Sequence, residues 1–254
     1  MSIDISRAQP HVAVVTIDNP AQRNALGPQE FRGLADAWQS LAADRDVRCI
    51  VVTGGGTQAF CSGAALNADF SGIDDVDEMV DAALCKTRLL RKPLIAAVNG
   101  HCVAGGFELM MASDIRIASA AARIGLPEVH WGILPSGGAA MKLIDQIGHA
   151  RAMQLLLTGE LIDADTALAF GIINRVVAPP DVLETALAMA RTIAGNSPLA
   201  VQLTKESALA HRCRGWQALE AQERVRADTV RASPDFQIGR RAFLSKTVPD
   251  YPSV

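Results

Sequence analysis

Two glutamates stand where carboxylates are costly. Glu108 lies in VAGGFELMMASD, one residue past Phe107 and just after Gly105 and Gly106. Glu128 lies in RIGLPEVHWGILPSGG, behind Pro127 and among Leu126, Val129 and Trp131. A charged carboxylate in apolar surroundings carries a large desolvation penalty. Read singly, a glutamate after a proline is most simply a loop residue facing water. Read together, two carboxylates among apolar neighbours, each beside a glycine-rich turn, suit a general acid/base pair.

Two turns supply a complementary element. In IVVTGGG followed by FCSGAAL, and in LIAAVNG followed by VAGGFEL, a buried-strand pattern ends in glycine and a small-residue turn follows. Such turns leave peptide N–H groups open, and a helix starting near Gly106 adds unpaired donors and a positive dipole end. One N–H from each turn, converging on one oxygen, would make an oxyanion hole. Either turn alone is most simply a turn. Nucleotide binding fails on detail, because neither stretch has the G-K-[ST] ending of a P-loop or a G-x-G-x-x-G.

The elements that must position these residues follow from periodicity. Residues 11–18, 48–56, 94–100, 114–119 and 172–177 read as strands. Residues 28–46 place Phe31, Leu34, Trp38 and Leu41 on one helical stripe. Residues 75–91, 136–148, 149–159 and 182–196 read as further helices, and Asp163 reads as the N-cap of another. Ser197-Pro198 marks a clean restart, and helix then runs to Lys246, punctuated by Gly215 and Ser233-Pro234. The expected organisation is a core domain over 1–196 and a helical region over 197–254, a candidate subdomain or oligomer-forming arm. No exact repeat or low-complexity segment is present.

Composition narrows the function classes. The chain has 254 residues, 49% hydrophobic and 20% charged, which supports a sizeable core. A net charge of −3 and 4% aromatic residues argue against nucleic-acid or anionic-lipid partners. Five cysteines without C-x-x-C read as reduced thiols, and five histidines without H-x-x-x-H make a zinc site improbable. The amino-terminal residues show no signal-peptide pattern, and no apolar run reaches membrane-spanning length. A cytoplasmic location without membrane contact is expected.

DNPAQRNAL (18–26), GGGTQAFCSGAAL (54–66), VNGHCVAGGFELMMASDIRIAS (98–119), LPEVHWGILPSGG (126–138) and RAFLSK (241–246) resemble, in order and spacing, the motifs of the enoyl-CoA hydratase/isomerase family, the crotonase superfamily. The resemblance covers nearly the whole chain. It implies an α/β fold, a crotonase-like spiral of β-β-α turns with a C-terminal helical trimerisation region. It implies an acyl-CoA thioester substrate, no cofactor beyond the coenzyme A carried by that substrate, no metal, and a homotrimer or dimer of trimers. By motif position the oxyanion donors are the backbone N–H groups of Ala64 and Gly105. Glu108 and Glu128 map onto the two glutamates that hold one water in family hydratases. Arg23, Ala25, Ala64, Leu66, Phe243 and Lys246 map onto substrate and CoA contacts, Lys246 from a neighbouring subunit.

The sequence departs from the pattern at two places. The family's G-A-D-[LI]-K reads Gly63-Ala64-Ala65-Leu66-Asn67, which removes a lysine that often meets CoA phosphates; Arg23 and Lys246 are the residues that can compensate. The family's P-G-[AG]-G-G-T-Q-R-L reads Pro135-Ser136-Gly137-Gly138-Ala139-Ala140-Met141-Lys142-Leu143. Phe70, Met79, Leu84 and Trp131 are candidates for the acyl pocket. His130 is a candidate tuner of Glu128, though a packing role is the simpler reading. Asp114 and Arg116 are a candidate structural pair. The expected reaction is water addition across C2=C3 of a 2-enoyl-CoA to give a 3-hydroxyacyl-CoA. Another crotonase-type reaction (isomerisation, hydrolysis or decarboxylation) and a non-catalytic scaffold of the same fold remain the alternatives.

Overall fold

The first strand of the chain's interior shows why the sheet is double-faced. In HVAVVTID, Val12 and Val14 point to one face and Ala13, Val15 and Ile17 to the other, and all are buried. A strand apolar on both faces must be covered on both, as in parallel α/β sheets. The computed structural model describes residues 2–86, 89–213 and 215–251. It contains β1 (Ser2–Gln9), β2 (Val12–Asp18), α1 (Pro28–Ala43), β3 (Cys49–Gly54), β4 (Ala59–Cys61), α2 (Val76–Ala83), β5 (Leu94–Val98), β6 (His101–Val103) and α3 (Gly105–Ala112). It continues with β7 (Ile115–Ser119), β8 (Arg123–Gly125), α4 (Ala139–Ile147), α5 (His149–Thr158), β9 (Leu161–Asp163), α6 (Ala164–Phe170), β10 (Arg175–Val177), α7 (Val182–Ala194), α8 (Pro198–Arg212), α9 (Trp216–Arg231) and α10 (Pro234–Ser245).

The strands divide between two sheets. One runs β1-β2-β3-β5-β7-β10 and the other β4-β6-β8-β9. The chain alternates between them: β3 in the large sheet leads to β4 in the small one and then α2, and β5 leads to β6 and then α3. Each round is one β-β-α turn, and successive rounds add parallel neighbours to both sheets. That repetition is the crotonase-type spiral.

Between the sheets lies the main core, with Ile17, Ile50, Val52, Val98, Phe60, Cys102, Phe107 and Leu109 in contact. The opposite face of the large sheet is covered by α7, whose Val182, Ala186, Ala190 and Ala194 recur every four residues along one side. Small side chains on that stripe let the helix approach the sheet closely. Beyond it, Ser197 accepts the Ala200 N–H and Asp163 accepts the Thr166 N–H at 2.8 Å, the two N-caps expected from sequence.

Several elements differ from the sequence reading. The second helix stops at Ala83 instead of running to Arg91; residues 87 and 88 of that expected helix lie outside the described residues. Cys85 takes a left-handed φ of 50°, and the Lys86 N–H bonds back to the Asp81 carbonyl at 3.0 Å. This six-to-one closure is a Schellman stop made without glycine, so sequence punctuation did not announce it. The strands β4, β6, β8 and β9 have three residues each, too short for any period to register. β1 pairs antiparallel with β2 although only Ile3 and Ile5 mark it as apolar. Asp114 and Arg116 take separate partners. Asp114 pairs with Lys205 at 2.6 Å, and Arg116 donates to the carbonyls of Met110, Met111, Ser113 and Ile172.

Candidate active site

The two glycine-rich turns meet. Leu26 donates its N–H to the Gly63 carbonyl at 2.8 Å, and its carbonyl accepts the Ala65 N–H at 2.9 Å. This parallel bridge uses the peptide groups on either side of Ala64, so the Ala64 N–H points away from Leu26. It points toward α3. A Cβ built on Gly105 would sit 3.7 Å from the Ala64 nitrogen, and one built on Gly63 would sit 2.9 Å from the Gly105 nitrogen. Ala104, which starts α3, holds φ 52° and ψ −128°, a conformation glycine favours and alanine resists. The strain accompanies a sharp entry from β6 into the helix that leaves the Gly105 N–H at its leading end.

The loop carrying Arg23 and Ala25 is held by Asn24. This side chain is fully buried, donates to the carbonyls of Gly55 and Ala59 at 3.0 and 2.7 Å, and accepts the Asn19 N–H. Arg23 and Asn24 both sit at positive φ, so the tight loop is stabilised by Asn24's bonds and not by glycine. Leu66 presents its carbonyl to Arg240 of α10 at 3.2 Å. Phe243 packs edge-on against Trp131 with ring centroids 5.1 Å apart and stays 42% exposed. Lys246 caps α10 in a left-handed conformation. Within one chain, Ala64 and Gly105 are therefore adjacent, while Phe243 and Lys246 lie on the C-terminal helix that packs against the Glu128 turn.

Glu108 occupies the first turn of α3 and is 5% exposed; Glu128 occupies the 3-10 turn Pro127–Trp131 and is 8% exposed. Glu108 Oε1 accepts the Gly137 N–H. A side chain at Gly137 would collide with the Glu108 carboxyl, so only glycine lets the peptide approach it. Glu128 Oε2 is buried with no hydrogen-bond partner among the described residues. Burial raises the proton affinity of both groups. For Glu108 it pushes the pKa up to about 7, against the lowering effect of the Gly137 N–H; for Glu128 the Glu108 charge adds to burial and pushes it well above the ordinary carboxylate range.

The two environments split the roles. The Gly137 N–H favours the ionised form of Glu108, while burial and the Glu108 charge both oppose ionisation of Glu128, so Glu108 is the readier of the two to ionise. The activity profile follows with its sign. kcat/KM should rise on the acid side as the first proton leaves the pair, near pH 7, and fall on the alkaline side as the second leaves. Both apparent values belong to the pair. Rate measurements from pH 5 to 10 check this; a flat profile across that range contradicts it.

Sequence reading missed Gly137 and three charges next to the pair. Lys142 is 1% exposed on α4, Lys86 3% exposed after α2, and Glu223 6% exposed on α9. Lys142 shares the buried stripe of α4 with Ala139, Leu143 and Ile147, and Glu223 shares that of α9 with Glu220 and Ala227. For Lys142, a charge on an otherwise apolar stripe was the available signal; the polar α9 offered none for Glu223. His130, in the same turn as Glu128, commits its Nε2 to a 2.7 Å hydrogen bond with the Thr158 carbonyl, a packing contact. Cys61 lies under the turn with its thiol pushed up to about 12 by burial, so it is a packed side chain and no nucleophile. Two concavities are lined by other residues than the glutamates, one of about 590 Å³ beside Ala65 and Asn67 and one of about 780 Å³ between α3 and α8. No described cluster of His, Cys, Asp or Glu side chains is set to hold a metal, and no described helix is long and apolar enough to cross a membrane.

A β-β-α spiral that brings two loop N–H groups and a buried glutamate pair together defines a crotonase-fold protein. The chain belongs to the enoyl-CoA hydratase/isomerase family, whose model matches residues 7–253. It is 38% identical over 254 residues to the enoyl-CoA hydratase EchA19 of Mycobacterium tuberculosis, covering 95% of this chain and 93% of that protein. It is 34% identical to the 2,3-dehydroadipyl-CoA hydratase of Escherichia coli, with 99% of each chain covered. The crystal structure of a carnitinyl-CoA hydratase from Mycobacterium avium superposes with a TM-score of 0.90 at 33% identity, over 98% of each chain.

Proposed function

We propose that this protein is an enoyl-CoA hydratase, acting on a 2-enoyl-CoA thioester to give the 3-hydroxyacyl-CoA. The observation that carries the reading is the pairing of two buried glutamates: Glu108, in the first turn of the helix that Gly105 begins, and Glu128, close enough for the Glu108 charge to raise its proton affinity, with the Ala64 turn packed against Gly105. The thioester oxygen accepts both N–H groups and gathers charge as the enolate forms. Ionised Glu108 takes a proton from the water attacking C3, and protonated Glu128 delivers its proton to C2. One O–H bond of water breaks, C3–O and C2–H bonds form, and the glutamate proton ends on the opposite partner; solvent exchange resets it. The 590 Å³ cleft beside Ala65 and Asn67 adjoins the oxyanion turn and is the proposed path for CoA. Arg23, Ala25, Leu66, Phe243 and Lys246 are the proposed substrate contacts, Lys246 from a neighbouring subunit of a homotrimer or dimer of trimers.

Crotonyl-CoA tests the reading: loss of the enoyl thioester absorbance on adding enzyme, with 3-hydroxybutyryl-CoA as product, is the expected result. If enoyl-CoAs of graded length and branching stay intact while another acyl-CoA is isomerised, cleaved or decarboxylated, the hydratase assignment falls and the family site remains. Light scattering on the purified protein checks the assembly.

A further inference from the structure

The residues around Glu108 contain, besides Glu128, a further carboxylate that the proposed hydration step does not use. The turn Gly137–Gly138 donates two successive N–H groups to two different glutamates. Gly137 donates to Glu108, and Gly138 donates to Glu223 Oε1 at 3.0 Å. Glu223 lies on α9, 85 residues further along the chain. We propose that Glu223, held by Lys86, is a positioning residue for Glu108: it anchors the turn that holds the catalytic carboxylate and sets the charge that carboxylate feels. This rests on the hydratase reading for its catalytic consequence, though not for the geometry.

Burial makes the contact a structural commitment. The Glu223 and Lys86 side chains are 8% and 4% exposed and meet at 3.3 Å. Lys86 is aimed inward by the left-handed stop at Cys85, and its Nζ also lies 3.8 Å from Asp81. Asp81 in turn meets Arg224 at 3.4 Å, and Asp77 meets Arg231 at 3.1 Å, so α9 is fastened along α2 by ion pairs one residue and two turns beyond Glu223. A Cβ on Gly138 would lie 3.5 Å from both the Lys142 Nζ and the Lys86 Cγ, which places both lysines against the turn. The turn is thus clamped between α2, α4 and α9 at the point where it touches Glu108.

The charges facing Glu108 come from four elements. Glu128 faces it from the 3-10 turn, Lys142 from α4, Lys86 from the end of α2 and Glu223 from α9. Glu223 and the two lysines oppose one another: the carboxylate raises the proton affinity of Glu108 and the ammonium groups lower it. Glu220, also buried on α9, faces the same lysines. Neutralising Glu223 therefore removes a repulsion and frees Lys86 to act on Glu108, and both changes favour ionised Glu108.

The test compares Glu223→Gln and Glu223→Ala with wild type in two measurements. One is kcat and KM for crotonyl-CoA against pH. The other is an infrared titration of the Glu108 carboxyl, assigned by its disappearance in Glu108→Gln, which needs no substrate. Glu223→Gln keeps an acceptor for the Gly138 N–H, so it should retain kcat within a few-fold while the Glu108 titration and the acid limb move down by about one pH unit. Glu223→Ala also releases the turn and should lower kcat by ~10–100-fold with little change in KM. A purely structural role would change thermal stability and leave the titration, the acid limb and kcat at wild-type values, and that result overturns the proposal. Should Glu223→Ala fail to fold, Glu223→Gln decides alone. If wild type hydrates no enoyl-CoA yet the infrared titration shifts in Glu223→Gln, the hydratase reading fails and the positioning role stands.

Discussion

Replacing Glu108 by glutamine should reduce hydration of crotonyl-CoA by ~10²–10⁴-fold, the range that a positioned acid/base supplies. The amide keeps an oxygen for the Gly137 N–H and nearly the same volume, so the fold should persist. It cannot accept the proton of the attacking water. The effect should fall on kcat, because the step lost occurs only in the transition state. Stability should change in a pH-dependent way. The Glu108 carboxyl has its folded-state pKa raised by burial from 4.5 to about 7. Its contribution to stability is therefore fully present below pH 4.5 and is lost as pH rises through about 7, since the unfolded state ionises first. Relative to wild type, Glu108→Gln should gain melting temperature across that window and level off above it. Thermal melts at pH 5, 6, 7 and 8 check this. A melting-temperature difference that is constant with pH would show that Glu108 is not held protonated by burial. Wild-type hydration rates in the variant would remove Glu108 from the chemistry altogether.

Gly63→Ala should cost about as much through a different route. Gly63 sits at φ 83°, where L side chains are strained, and an added Cβ would lie 2.7 Å from the Ala104 Cβ and 2.9 Å from the Gly105 nitrogen. Relief requires the two turns to part, and the Ala64 and Gly105 N–H groups then no longer converge. Losing one oxyanion donor typically lowers kcat by ~10²–10³-fold. The backbone strain should add a loss of stability of about 1–3 kcal/mol. The residual activity should keep the wild-type pH dependence, because the glutamate pair is untouched. That separates it from Glu108→Gln, whose residual rate should lose the acid limb. Circular dichroism and a pH–rate profile on the same preparation check both points, and near-wild-type kcat in Gly63→Ala would exclude this pair of N–H groups as the oxyanion hole.

The contrast between these two substitutions reflects what was legible in the sequence. Glu108 and Glu128 stood out because carboxylates in apolar runs are costly, and their motif order resembled a family. The long strands and helices were also legible: HVAVVTID, LIAAVNG and the stripe of α1 bury enough apolar surface that local pattern and tertiary role coincide. Ser197 and Asp163 were readable as N-caps because capping is decided by neighbours one to three residues away. Ala64 and Gly105 entered through motif position, since nothing in a glycine-rich turn tells which way an N–H points. That direction depends on the Leu26 bridge across to Ala64, a contact 38 residues apart made only when the loop from β2 folds over the one from β4.

The tertiary structure decided the rest, for the same reason each time. A three-residue strand has no period, so the small sheet exists only through its partners. Cys85 ends a helix in a conformation its side chain disfavours, because Lys86 must turn inward to reach Asp81 and Glu223. Gly137 looks like any glycine until Glu108 is placed against it. Glu223 lies in a polar helix that reads as a solvated face, yet it is buried against a turn 85 residues away. Local sequence determined which residues could ionise, cap or bend. Long-range packing determined which of them lost water and met one another, and for a carboxylate that loss of water sets how tightly its proton is held.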